Sequence, residues 1–207
     1  MAERRVALLD YGAGNLRSIG NALRAVGADV RLASHPREAL DASHLVFPGV
    51  GAFGAAMGSL RASGLDATLE AHRAAGRPLL GVCVGFQAMF ARGTEFGEHA
   101  GLGWFAGSVD RFAPGLHVPH VGWNRVAPVE GRDGPLWRGL EAGWFAYFVH
   151  SYRPTGVDEA DIAATTEYGG SFASAVARDH VAGVQFHPEK SGPDGLRLLS
   201  NFVAWSP

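Results

Sequence analysis

Apolar residues alternate between two rhythms over roughly the first ninety positions of this 207-residue chain. Arg5-Val6-Ala7-Leu8-Leu9 is a short apolar run that predicts a strand ending at Asp10. Leu16, Ile19, Leu23 and Val26 follow at spacings of three and four, the mark of a helix, which Gly27 closes. Asp29 to Ala33 predicts a second strand, Pro36 opens a short helix, and His44-Leu45-Val46-Phe47 predicts a third strand. Pro48 to Gly54 reads as a glycine-rich loop, with helical segments on to Ala75. Gly76 then precedes another apolar run, Pro78 to Val82. Strand and helix in turn predict an α/β fold, a parallel sheet with helices on both faces. Ligands of such sheets bind at the carboxyl ends of the strands, where Asp10, Pro48-Gly49 and Cys83 fall.

Beyond Ala91 glycine, proline and aromatic residues become frequent, and short alternating runs replace the helical rhythm. Gly103 to Phe105, Ser108 to Phe112, Trp144 to Tyr152, Ile162 to Tyr168, Phe172 to Arg178 and Val181 to His187 predict strands, mostly antiparallel. Gly169-Gly170-Ser171 marks a hairpin. A closing helix spans Pro193 to Trp205 with Leu196, Leu199, Phe202 and Val203 inward. No repeat breaks the chain, which reads as a single domain over residues 1–207.

Composition narrows the function. The formal charge of −2, with no basic block, argues against nucleic-acid or membrane-surface binding. A single cysteine excludes an internal disulfide and suits a reducing compartment. Met1 to Arg5 is too brief for a signal sequence, so a cytoplasmic protein is expected. Lys190 is the one lysine among 18 basic residues, which sets a compact ammonium apart from seventeen guanidinium groups. Asp10-Tyr11-Gly12-Ala13-Gly14 hints at a dinucleotide loop, but Arg17 stands where the third glycine of that fingerprint belongs.

The lone Cys83 lies in Gly81-Val82-Cys83-Val84-Gly85, between the fourth strand and what reads as the start of a helix through Phe90. A nucleophile flanked by glycines at such a turn is a nucleophile elbow, whose backbone lifts the side chain clear. The following helix would direct its N–H groups at the thiol and favour thiolate. A buried small hydrophobe fits the same residues, so the elbow is chemical only if a base and an oxyanion site accompany it.

Of nine histidines, His72 reads as solvent-facing on a polar helix, and His120, His150 and His187 are the serious candidates for the base. His187 alone carries an orienting carboxylate, in His187-Pro188-Glu189. In extended chain, residues two apart project to one side, so Glu189 can hold the imidazole in its working tautomer. For an oxyanion, the Val84 amide supplies one donor and the Gly49-Val50-Gly51 loop a second.

Pro48-Gly49-Val50-Gly51-Ala52-Phe53, Gly81 to Gln87 and Gly183-Val184-Gln185-Phe186-His187-Pro188-Glu189-Lys190-Ser191 resemble the three signatures of class I, triad-type glutamine amidotransferases. Asp10 to Ser18, Pro119 to Asn124 and Tyr147 to Tyr152 are similar to the glutaminase subunits of imidazole glycerol phosphate synthases. Val84 and Phe86 depart from the Leu and Met of that family.

The resemblance implies a three-layer, flavodoxin-like fold with a mixed, mainly parallel sheet and an antiparallel extension. It implies glutamine hydrolysis by Cys83, His187 and Glu189 through a thioester, with Val84, Gly49, Val50 and Gly51 at the oxyanion. Glutamine recognition falls to Gly51, Gln87, Glu95, Ser151 and Tyr152, with Glu98 near enough to contest the place of Glu95. No cofactor or metal is implied. The implied partner is a (β/α)8-barrel cyclase, bound as a heterodimer in histidine biosynthesis, which receives the ammonia. Tyr11, Asn15, His120, Trp123, Asn124, Tyr147 and Lys190 would face it. A glutaminase serving another acceptor, or a cysteine hydrolase on a related elbow fold, remain the alternatives.

Overall fold

The computed structural model describes residues 4–12, 14–131, 134–140 and 144–206. Met1 to Glu3, and Ala13 inside the expected docking segment, lie outside the described residues. The alternating half folds as β1 (Arg5–Leu9), α1 (Leu16–Ala25), β2 (Asp29–Ala33), β3 (His44–Gly49), α2 (Phe53–Ser63), α3 (Leu65–Ala74) and β4 (Leu79–Cys83). Asn15 caps α1 by accepting the Ser18 N–H at 3.4 Å.

A single helical turn, α4 (Val84–Gln87), follows β4, not the longer helix that the sequence suggests. Phe90 already pairs in parallel with Phe105, which pulls the chain out of the helix within one turn. So short a helix has little dipole to offer the thiol. The second half comprises β5 (Phe90–Gly93), β6 (His99–Ala100), β7 (Phe105–Arg111), β8 (His120–Pro128), β9 (Trp144–His150), β10 (Tyr152–Thr155), β11 (Ile162–Glu167), β12 (Ser171–Arg178), β13 (Val181–Val184) and α5 (Gly192–Ala204).

Among the described residues a nine-stranded sheet runs β2-β1-β3-β4-β13-β12-β11-β8-β9. The pairings from β2 through to β13 are parallel, and those from β13 through to β9 are antiparallel. β4 lies between β3 and β13 and is buried along its whole length, as its unbroken apolar run requires. A second sheet, β10-β7-β5-β6, stands apart. The run from Trp144 to Tyr152 is therefore not one strand. It crosses from the large sheet to the small one at Ser151.

β8 has no counterpart among the sequence-predicted strands, because its inner face carries His120, Gly122 and Asn124 where apolar residues would betray it. On α5 it is Leu198, with Leu199, Phe202 and Val203, that is buried, while Leu196 turns outward. His72 is also inward: its Nε2 meets the Pro78 carbonyl at 3.1 Å, and burial lowers its pKa to about 4. Among the described residues no helix is long and apolar enough to cross a membrane.

Candidate active site

Cys83 closes β4 with φ 56° and ψ −111°, a backbone region that non-glycine residues enter only under constraint. The constraint is visible on both sides. A Cβ on Gly85 would collide with the Phe47 carbonyl oxygen, so the turn after the thiol lies directly on β3. Parallel pairing sets Gly49 level with Cys83, and Val184 level with Val82, so Gln185 leaves β13 beside the nucleophile. Val84 opens α4, where a backbone N–H has no acceptor within the helix. The Phe86 departure is accommodated by Gly183, whose added Cβ would come within 2.5 Å of the Phe86 ring.

His187 and Glu189 do meet, though not by the extended geometry that the sequence suggests. β13 ends at Val184, and Pro188–Lys190 form a 3-10 turn that brings Glu189 back under the imidazole. Nδ1 and Oε1 lie 2.9 Å apart, with both side chains almost fully enclosed. Ser191 Oγ donates to the His187 carbonyl at 2.6 Å and accepts the Tyr147 N–H at 3.0 Å, which ties the turn to β9. Burial alone would lower the His187 pKa. Hydrogen bonds and charge from Cys83 and Glu189 outweigh it and raise the value to about 9.

The Pro48 carbonyl accepts a hydrogen bond from the Tyr11 hydroxyl at 2.7 Å, anchoring the loop that follows. Tyr11 is only 5% exposed, so its side chain braces this loop and is not the docking group that the resemblance places there. Burial, then the nearby Cys83, pushes its hydroxyl pKa up. Gly49 packs against the elbow, where an added Cβ would stand 2.7 Å from the Gly85 nitrogen. Gly51 has φ +87° and open space about it, while Val50 is exposed.

A cavity of about 410 Å³ opens between these parts. Val50, Gly51, Cys83, Val84, Gln87, Glu95, His150, Ser151, Tyr152 and His187 are among the residues that line it. Glu95 is held there by the Phe53 N–H, which donates to Oε2 at 2.8 Å. Glu98 instead turns to Arg92 at 2.5 Å and does not line the cavity. Gln87 donates to the Tyr152 carbonyl at 3.1 Å and to Gln185 Oε1 at 2.9 Å, and Gln185 Nε2 points at Cys83 Sγ from 3.9 Å. Gln185 is the residue that sequence reasoning missed. Its rarity, one of two glutamines in the chain, was the available signal.

The remaining residues expected at a partner divide in two. Trp123 is 58% exposed and meets the Tyr147 ring edge-on at 6.3 Å, while Lys190 Nζ lies 5.5 Å over that ring. Val121, Phe145 and Val149 extend the same outer face of β8 and β9. Asn15 is exposed at the start of α1. His120, by contrast, is 4% exposed and stacks between Tyr168 and Phe148. Asn124 is half-buried and spends its amide on the protein's own atoms. These two do not present a face outward.

This site, on this fold, is that of a glutamine amidotransferase: the family model "Glutamine amidotransferase class-I" matches residues 7–205. A Cys-His-Glu triad is that family's standard mechanism. The "Imidazole glycerol phosphate synthase subunit HisH" of Symbiobacterium thermophilum is 46% identical over 198 residues, covering 96% of this chain and 92% of that one. Its namesake from Aquifex aeolicus is 44% identical over 199 residues, covering 96% and 95%. Among solved structures, PurLQS from Thermotoga maritima aligns with a TM-score of 0.79 at 18% identity over 98% of both chains, a likeness of fold. The chain belongs to the class I glutamine amidotransferases and, within them, to the family of imidazole glycerol phosphate synthase subunits HisH.

Proposed function

We propose that this chain is the glutaminase of an imidazole glycerol phosphate synthase, a single catalytic domain that hydrolyses glutamine and passes the ammonia to a cyclase in histidine biosynthesis. The observation that carries the residue roles is Cys83 at a strained elbow, in one cavity with His187, whose Nδ1 meets Glu189 Oε1 at 2.9 Å. His187 takes the thiol proton of Cys83, Sγ attacks the side-chain amide carbon of glutamine, and the carbonyl oxygen takes up the negative charge. The N–H groups of Val84 and of the Gly49-Val50-Gly51 loop receive that oxygen. His187 gives its proton to the amide nitrogen as the C–N bond breaks, which releases ammonia and leaves a thioester. It then takes a proton from water, whose oxygen attacks the thioester to give glutamate and free Cys83.

Glu95 suits the α-ammonium of the substrate by charge. Gly51, Gln87, Ser151 and Tyr152 complete the pocket. The partner is a (β/α)8-barrel cyclase in a cytoplasmic heterodimer. It docks on Asn15, Trp123, Tyr147 and Lys190. Support comes from an apolar outer face on an edge pair of strands that ends beside the glutamine cavity, the arrangement that a covered interface needs.

The test is ammonia release from glutamine by this chain alone and with the cyclase and its nucleotide. Little activity alone and strong activation by the loaded cyclase is expected, because the Val50 and Gly51 amides follow β3 on an open loop that docking can turn. Cys83→Ala should abolish glutamine-dependent synthesis and spare ammonia-dependent synthesis by the complex. Loss of both would make Cys83 structural, and full activity in the isolated chain would remove the partner's control.

A further inference from the structure

Between the docking face and the glutamine cavity lies a polar row, half-buried at Asn124 and buried at its two imidazoles, that the reaction above does not use. Asn124 Nδ2 is 3.1 Å from His120 Nε2, His120 Nδ1 is 3.0 Å from His150 Nε2, and His150 Nδ1 is 2.8 Å from the Tyr152 carbonyl. Phe112, Phe148, Phe172 and Tyr168 pack around the two imidazoles, both nearly fully buried.

Proton positions in this row follow from its ends. The Glu167 carbonyl accepts from Asn124 Nδ2 at 2.9 Å, and the Arg125 N–H donates to Asn124 Oδ1 at 2.7 Å. Backbone on both sides therefore fixes which way the amide faces, and its amino group can only donate to His120 Nε2. His120 must then carry its hydrogen on Nδ1 and donate to His150 Nε2. Working back from the other end, the Tyr152 carbonyl can only accept, so His150 also carries its hydrogen on Nδ1. Two independent ends demand one arrangement. Burial keeps both rings neutral, with pKa values lowered to about 4 for His120 and about 3 for His150.

We propose that His150 is a positioning residue for glutamine, held in the Nδ1–H form by a one-way hydrogen-bond chain Asn124–His120–His150 that sets the Tyr152 carbonyl. That carbonyl also receives Gln87, whose second bond leads to Gln185 and so to the thiol of Cys83. The chain thus fixes Ser151 and Tyr152, where β9 passes into β10, at the wall of the cavity. This deepens the reading above and rests on it for the identity of the ligand.

The test sets His120→Phe against His120→Asn. Phenylalanine keeps the stack on Tyr168 and Phe148 but cannot donate to His150, whereas the asparagine amide can place a donor where Nδ1 stands. Nitrogen-15 spectra of the full chain should show His150 protonated at Nδ1 in every form, as the Tyr152 carbonyl demands, with its Nε2 resonance that of a hydrogen-bond acceptor in the parent and His120→Asn and that of an unbonded nitrogen in His120→Phe. With saturating cyclase and its nucleotide, His120→Phe should raise the glutamine KM about tenfold with kcat little changed, the scale expected for one lost buried hydrogen bond. His120→Asn should return KM to near the parent value. Should His120→Phe fail to fold, Asn124→Asp, which replaces the amino donor by an acceptor and so draws the His120 hydrogen to Nε2, should free His150 Nε2 in the same spectra and raise KM alike. An Nε2 proton on parent His150, equal KM values in all forms, or equal damage from Phe and Asn would overturn the proposal. Failure of the glutaminase reading would look different: no glutamine-dependent ammonia release by the parent complex, with the tautomer pattern intact.

Discussion

Gly85 rests its α-carbon against the carbonyl oxygen of Phe47, with no room for a methyl group between them. The elbow is therefore built by contact with the neighbouring strand as much as by its own dihedral angles. Gly85→Ala should cost about 3 kcal/mol of stability, the upper range for overpacking against backbone that cannot yield. Gly51→Ala meets nothing within 4 Å, and its cost is conformational, about 1–2 kcal/mol for a side chain held at φ +87°. Urea unfolding and glutamine turnover should thus separate them, with Gly85→Ala chiefly lowering the midpoint and Gly51→Ala chiefly lowering turnover. Equal midpoints would refute the steric account.

His187 supplies a pH signature. Its pKa, raised from 6.5 to about 9, means that the folded chain keeps a proton that the unfolded chain releases across that window. Its contribution to stability is full below 6.5 and drains away as pH rises through about 9. Glu189→Gln withdraws the carboxylate that helps to raise the value, so the fall in Tm across this alkaline window should flatten in the variant. Parallel Tm curves for the two proteins would show that Glu189 does not hold the proton on His187.

Trp123 tests the docking face. As a large, exposed aromatic at its middle, it fits the profile of an interface anchor. Trp123→Ala should weaken cyclase binding by about 2 kcal/mol, roughly thirtyfold, by titration calorimetry. Stability of the isolated chain should change by less than about 0.5 kcal/mol, since the ring packs on little of its own protein. Unchanged binding would place the partner elsewhere.

Much of this was legible in the chain. β1, β3 and β4 announce themselves because strands buried in a parallel sheet are apolar almost throughout, and the elbow follows from glycines where close approach leaves no choice. Pairing of His187 with Glu189 was foreseen for the wrong local reason, since a 3-10 turn and not extended chain delivers the contact. The inward places of Tyr11 and His120 were not legible. Polar rings at motif positions look like surface until their hydrogen-bond partners, the Pro48 carbonyl and His150, arrive from distant sequence. Likewise the single turn of α4 depends on Phe105, fifteen positions beyond Phe90.

β8 carries Trp123 on one face, and His120 and Asn124 on the other, so its odd and even positions serve different ends. A side-chain period of two makes this arrangement sensitive to length in a way that it is not sensitive to substitution. Point changes on the outer face can retune the partner and leave the cavity alone. Loss or gain of one residue early in β8 would instead drive the indole into the core and turn the imidazole to solvent. Assembly and glutamine binding would then fail together, from a lesion that touches neither the partner nor the substrate.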